Sequence, residues 1–383
     1  MVVRKKIIVF AFLFAAMSAQ AQKPTIWKKA HGFITKPAKV DTVFISQHRV
    51  GFSLGVSTSL QQAGFDMKDD FNINLDDGTT IPCRTTYGLS ENLCTKVGVD
   101  VGYGMLGIGY SLEVGHRSAS KKRSLGFNIM GKTWGFDAKY FSISNPFTNS
   151  ITIGEEGDEY YWVDQITKKD EAVLKNLSIN GYYVFNNKRF AYPAAYKMGL
   201  VQRHTAGSWL VTARYMQGSL VNSPEAAYDS YNFFDCFSTL QAAIGGGYSV
   251  NFVLWNKDAT GPHSQGLRNV TLNLTALPVI TFANYLKVTA YTYEAGQHSG
   301  EQVSKMWCYP MPNYIGSAAA SLTLGRFFFT TQFTYNCYYF RSHDAVDVSQ
   351  QIVFDDIQDI VDDTGFRGLF HDWLLKGSFV YRF

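Results

Sequence analysis

Eight charged side chains fall within stretches where apolar and polar residues alternate: Lys96, Asp100, Lys132, Asp137, Lys139, Arg214, Lys376 and Arg382. Successive residues of a strand point to opposite sides, so each charge shares a face with small or polar residues, opposite an aliphatic and aromatic stripe. A soluble sandwich would rarely bury Lys96, Asp100, Asp137 and Lys139 with one sheet face. Set around a polar interior, they can select a solute or ligand by its charge.

Motifs that look catalytic do not hold up beside this pattern. Gly102 to Gly107 (GYGMLG) matches a dinucleotide fingerprint, but an alternating strand follows where a helix is required, so its glycines are turn residues. Gly51 to Gly55 (GFSLG) matches a nucleophile elbow, yet Ser53 lies inside an alternating strand rather than at a strained strand-to-helix turn. Asn72 to Gly78 (NINLDDG) has oxygen ligands at every second position, but its glycine is displaced by one and no acid stands at the twelfth position. The eight histidines form no HExxH. His116, His204 and His371 fall near strand ends and are the residues a lipid-modifying enzyme could use. Five cysteines without a CxxC give neither a metal site nor a full disulfide framework, although Cys83 and Cys94 could pair across a loop. No cofactor and no metal are expected.

The positioning elements are strands. In "RVGFSLGVSTS", Val50, Phe52, Leu54 and Val56 alternate with small or polar residues, and "TKVGVDVGYGMLGIGYSLEVG" reads as two strands about a turn at Gly104-Met105. The pattern recurs at Leu125 to Tyr140, Leu177 to Phe185, Trp209 to Tyr215, "NVTLNLTA" (Asn269, Thr271, Asn273 and Thr275 opposite Val270, Leu272 and Leu274) and "GRFFFTTQFTYN". It ends on "WLLKGSFVYRF", where Trp373, Leu375, Phe379, Tyr381 and Phe383 share the apolar face and Lys376 and Arg382 the other. Short turns are expected at Gly104-Met105, Lys132-Thr133, Asn186 to Lys188, Leu277 to Val279 and Gly325-Arg326. Long or polar connections are expected on the other side at about 60–92, 145–173, 251–266, 293–312 and 341–370, with shorter ones at 117–123 and 201–206. This predicts an all-β fold, a transmembrane antiparallel up-and-down barrel of about fourteen strands, with twelve if Phe190 to Gln217 is one kinked strand. The connection 218–236 is too long for a short-turn side. Acidic runs mark the long loops, and Val353, Ile357, Ile360 and Val361 have helical spacing over the last of them.

The amino terminus has Arg4, Lys5 and Lys6, an apolar run from Ile7 to Ala16, and Ala19-Gln20-Ala21, the parts of a secretory signal peptide. The expected division is a signal at 1–21, a periplasmic tail at 22–48, and an outer-membrane barrel with long acidic extracellular loops at 49–383. The sequence has 35 Lys and Arg against 31 Asp and Glu, and removing the signal leaves an excess of a single cation, which gives no reason to expect nucleic acid. After residue 22 no apolar segment is long enough for a transmembrane helix.

The segment "YYVFNNKRFAYPAAYKMGLVQRHTAGSWLV" resembles an uncharacterised family of Bacteroidota outer-membrane proteins, domain of unknown function 4421. Tyr182 to Phe185, Phe190 to Ala195, Gln202 and Ala206 to Ser208 carry the likeness, and "DTVFI" at Asp41 to Ile45 is similar too. The resemblance implies a barrel in the outer membrane of a Gram-negative bacterium and brings no reaction or site residues. The function expected is binding or passing a small or lipidic molecule, the eight charges setting selectivity. The alternatives are a lipid-modifying enzyme and a structural or adhesive barrel displaying acidic loops. Expected partners are outer-membrane lipid, a small-molecule or lipid ligand, and the barrel-assembly machinery, which would read Phe383.

Overall fold

The computed structural model describes Gly32 and residues 39–47, 51–75, 80–91, 93–114, 122–144, 147–155, 158–166, 172–222, 236–257, 268–294, 297–342, 357–361 and 367–383. Twelve strands form a closed ring: β1 (Phe52–Leu75), β2 (Cys94–Tyr103), β3 (Leu106–Glu113), β4 (Arg123–Met130), β5 (Trp134–Ile143), β6 (Ala172–Val184), β7 (Ala206–Asn222), β8 (Cys236–Lys257), β9 (Arg268–Glu294), β10 (Pro312–Leu324), β11 (Phe327–Arg341) and β12 (Arg367–Arg382). Each pairs antiparallel with the next. β12 closes on β1, from Arg367 opposite Lys68 to Arg382 opposite Ser53. The Phe383 N–H donates to the Phe52 carbonyl at 3.0 Å, so the first and last strands meet at one end, called here the terminal end. At the opposite, loop end, strands Thr80–Glu91, Phe147–Glu155, Asp158–Ile166, Gln297–Trp307 and Ile357–Val361 extend the wall.

Alternation along each strand turns the usual distribution inside out. Val99, Leu274 and Phe282 are 49%, 45% and 67% exposed on the outside, while Ser249, Asn251 and Asn273 inside are 0% exposed. An apolar coat running round the whole ring far exceeds the patches that soluble monomers show. Aromatic side chains border it. At the terminal end Trp209 packs edge-on to Tyr248 at 5.5 Å and Phe327 lies against Phe379 and Tyr381. Toward the loop end Tyr335 is opposite Trp373 and Tyr285 meets Trp307 at 5.4 Å. From Trp373 to Tyr381 is about the nine to eleven residues that a tilted strand needs to cross hydrocarbon. The protein is a transmembrane β-barrel.

Twelve strands, not fourteen, close the ring. Leu277 to Val279 is no turn but the middle of β9, with Leu277 and Val279 buried inside. Pro278 offers no N–H to a ladder, and the pairing of β8 with β9 lapses between Gly245 opposite Val279 and Tyr248 opposite Ala276. Residues 201–206 lie at the terminal end, in a segment that separates β6 from β7, and those two strands pair directly. Residues 251–257 are the terminal-end part of β8, and β7 and β8 meet at the loop end where Val221 is opposite Cys236, so 218–236 does not face the short-turn side. Much of 60–92 is strand rather than loop. The helix expected near 353–361 is at Ile357–Val361 a strand on β1, where unpaired backbone recruits β-branched residues. Cys94 keeps its thiol, which donates to the Gln61 carbonyl at 3.6 Å, instead of bridging to Cys83. The turns at Gly104-Met105 and Gly325-Arg326 are as expected, with φ of 56° and 60° at the glycines, the sign that a tight two-residue hairpin demands.

Where β8 and β9 lose their ladder, the two backbones crowd. A Cβ at Gly247 would stand 2.0 Å from the Ala276 carbonyl oxygen, whereas one at Gly316 meets nothing within 4 Å. Gly247→Ala is therefore expected to cost roughly 1–3 kcal/mol or more of barrel stability. Gly316→Ala should stay within about 0.5 kcal/mol of the wild type. Urea unfolding followed by heat-modifiable gel mobility measures both.

Candidate functional site

Inside the barrel lies a chamber of about 360 Å³. Its hollow begins as missing side chains. The inward positions of β3 and β4 include Gly107, Gly109 and Gly126, and a Cβ at Gly126 would meet only the Gly109 carbonyl, at 3.9 Å. Toward the loop end, rings from distant strands meet in the lumen. Phe65 of β1 stacks on Phe237 of β8 at 4.5 Å and lies edge-on to Phe340 of β11 at 6.2 Å; all three are at most 2% exposed. Tyr338 and Phe370, at 5.5 Å, complete this apolar seal.

The terminal end is closed by the segment between β6 and β7. There Leu200–Gln202 pairs antiparallel with Ile45–Gln47, and Tyr192–Ala195 forms a 3₁₀ turn begun by Pro193. On one side Phe190 packs with Val184, Leu210 and Leu277 of the wall; on the other, Ala191 and Ala194 pack with Ile45. Gln202, wholly buried, is its centre. Its Oε1 accepts from the Ala191 N–H (2.9 Å) and Asn251 Nδ2 (3.3 Å), and its Nε2 donates to the carbonyls of Arg189 (2.7 Å), His204 (2.9 Å) and Phe44 (3.3 Å). Asn269 Nδ2 donates to the Gln202 carbonyl at 2.8 Å, and Tyr196 Oη donates to Asn273 Oδ1 at 2.6 Å, so polar wall residues hold the insert. The Lys197 ammonium donates to the Met105 carbonyl at 2.8 Å, and burial pushes its pKa down to about 7. Burial likewise raises the Tyr192 and Tyr196 hydroxyls above the ordinary tyrosine value.

Five of the eight expected charges face this chamber: Lys96, Asp100, Asp137, Lys139 and Lys376. Asp100 takes both its bonds from Lys376 Nζ, at 2.9 and 3.0 Å. Lys96 donates to Gln61 Oε1 and to Ser124 Oγ, and Asn180 Nδ2 donates to Asp137 Oδ2 at 3.2 Å. Arg214 borders the chamber, buried, its guanidinium 3.7 Å from the centre of the Tyr338 ring. Lys132 sits in the turn between β4 and β5 and Arg382 at the end of β12, both at the terminal end rather than around the chamber. Phe383 faces outward beside Phe52 at 5.8 Å. Sequence reading missed Tyr192, Tyr196 and Lys197, which follow no strand period, and Asp372, which shares the parity of Lys376. Of the three histidines, His116 lies outside the described residues. His204 is in the insert against Phe44, and His371 is on β12, 3.7 Å from Asp66. Among the described residues no His, Cys, Asp and Glu cluster suits a metal, and no helix is long and apolar enough to cross a membrane.

A family profile described as Domain of unknown function (DUF4421) matches residues 39–356. The chain belongs to that family. No curated protein matches this DUF4421 chain by sequence. Among solved structures it is similar to the outer membrane protease OmpT from Escherichia coli, with 8% identity over 86% of this chain and 97% of that one and a TM-score of 0.35. It is also similar to the translocator domain of autotransporter NalP from Neisseria meningitidis, with 10% identity, 96% and 98% coverage and a TM-score of 0.32. A Pseudomonas aeruginosa FadL homologue has 9% identity, 86% and 90% coverage and a TM-score of 0.21. Likenesses at these scores carry no functional information.

Gln202→Leu would orphan buried backbone groups at a cost of about 1–3 kcal/mol each. The expected result is faster protease cleavage within 185–205 while the barrel keeps its heat-modifiable mobility. Lys197 adds a pH dependence. Its docked pKa lies below the ordinary 10.5, so docking strengthens as pH rises from 7 toward 10.5. Hydrogen exchange of the insert should be slower at pH 9 than at pH 6, after correction for the intrinsic rate.

Proposed function

We propose that this DUF4421 protein is an integral barrel of a Gram-negative outer membrane that takes a small molecule into a chamber sealed at both ends. The chamber lying between the Phe65, Phe237 and Phe340 rings and the Gln202-centred insert is the observation that carries the reading. A general pore leaves its lumen open, whereas here the Phe65, Phe237 and Phe340 rings close one end and the Gln202-centred insert the other. At about 360 Å³ the space is that of a small-ligand pocket. Its walls carry charges of both signs as well as the rings of Tyr182, Tyr192 and Tyr338, so orientation and selection come from the walls themselves. Export by a cleaved signal, contact with outer-membrane lipid and assembly by the barrel machinery belong to the same reading. Neither His204 nor His371 faces the chamber, and they lie on different elements, so nothing favours the lipid-modifying alternative.

In planar bilayers the wild type is expected to show no steady conductance, and Gln202→Leu to show openings. Native mass spectrometry of barrel extracted in mild detergent should detect a bound small molecule that is lost in Gly126→Trp, whose side chain would fill the hollow. A wild type conducting as steadily as Gln202→Leu, or a bound molecule unaffected by Gly126→Trp, overturns the reading.

A further inference from the structure

The charges of the chamber are not all matched with one another. Lys376 and Asp100 form the ion pair that spans β12, β1 and β2. Lys139 on β5 and Asp372 on β12 also face the chamber, from either side of the wall formed by β1 to β4. That wall holds Gly126, beside which the chamber is open. Among the described residues neither Lys139 nor Asp372 is in an ion pair within 4.0 Å or in a side-chain hydrogen bond, although both line the chamber. Both stand in a space where an unmatched charge is costly. Arg214 lies on the Lys139 side, since its register partner Asn180 lies beside Ser178, which is opposite Lys139. Its guanidinium stacks on Tyr338, which also lines the chamber.

Resting on the reading of a sealed ligand chamber, we infer that its ligand is a small zwitterion whose ammonium group meets Asp372 and whose carboxylate meets Lys139. A molecule bearing both charges satisfies the two side chains at once, whereas an anion or a cation alone leaves one of them unmatched. The separation of the two charged groups along the glycine wall then sets the distance between the ligand's own charges. Tyr182, Tyr192 and Tyr196 line the terminal end of the same space, Tyr182 and Tyr192 edge-on at 4.7 Å, and supply a ring surface for an aromatic substituent. An aromatic α-amino acid has these three features.

The test uses the full barrel in detergent with three probes of one carbon skeleton: L-phenylalanine (both charges), 3-phenylpropionate (carboxylate only) and 2-phenylethylamine (ammonium only). Long incubation allows entry past the seals, and isothermal calorimetry reads affinity. L-phenylalanine should bind at least tenfold more tightly than either analogue. Lys139→Met should lower the affinity for the zwitterion to that for the amine, and Asp372→Asn to that for the carboxylate, while both variants keep the wild-type heat-modifiable mobility. Equal binding of all three probes, a singly charged probe binding as tightly as the zwitterion, or no binding of any overturns the inference. Native mass spectrometry separates the two levels. A co-purified molecule of a single charge sign that Gly126→Trp displaces sinks the zwitterion and leaves the chamber reading standing; one that Gly126→Trp does not displace sinks both.

Discussion

Hydrocarbon offers no hydrogen bonds, and that constraint orders everything else in this molecule. A sheet with an edge would leave a row of N–H and C=O groups bare at several kcal/mol each, so the strands must close. β12 therefore pairs with β1 along its length. Closure then fixes the side chains, because one face of every strand must meet lipid and the other must meet whatever the ring encloses. Val99, Leu274 and Phe282 on the outside and Ser249, Asn251 and Asn273 on the inside are two results of one requirement.

An enclosed polar interior still has to be shaped, and here shape comes from residues that add nothing. Gly126 leaves β4 bare, so space collects against it, while the room beside Gly107 and Gly109 is taken by the Asn128 and Asp100 side chains. Glycine serves differently between β8 and β9. There Gly245 and Gly247 let one backbone press against the other beside Pro278, next to Leu277, which helps to seat the insert. One residue type makes a cavity in the first case and a close approach in the second.

How much of this could be read from sequence follows from what each feature depends on. Period-two alternation is local, so the strands, the polar interior and the inward placement of Lys96, Asp100, Asp137, Lys139 and Lys376 were legible. Strand count was harder, because it depends on whether a proline marks a turn. Leu277-Pro278-Val279 has the composition of a turn, and only the pairing of β9 with both β8 and β10 shows the chain running straight through. The insert had no period to follow. Its residues stood out through family resemblance alone, and the structure gives the reason: "DTVFI" and Gln202, about 160 residues apart, meet when Ile45 pairs with Gln202. Asp372 could have been found, since parity places it with Lys376.

The two closures differ in kind. Separating Phe65, Phe237 and Phe340 exposes stacked rings to water with nothing to replace the lost packing, a cost that grows with the area uncovered. The insert is held by hydrogen bonds from Gln202, Asn251, Asn269 and Tyr196, each of which water can replace at a net cost of about 0.5–1.5 kcal/mol, and by apolar packing. Phe190, Ala191 and Ala194 add apolar packing against Val184, Leu210, Leu277 and Ile45. Lys197 adds a group that burial holds near neutrality, so protonation itself favours the released state. Acidification therefore loosens the insert through Lys197.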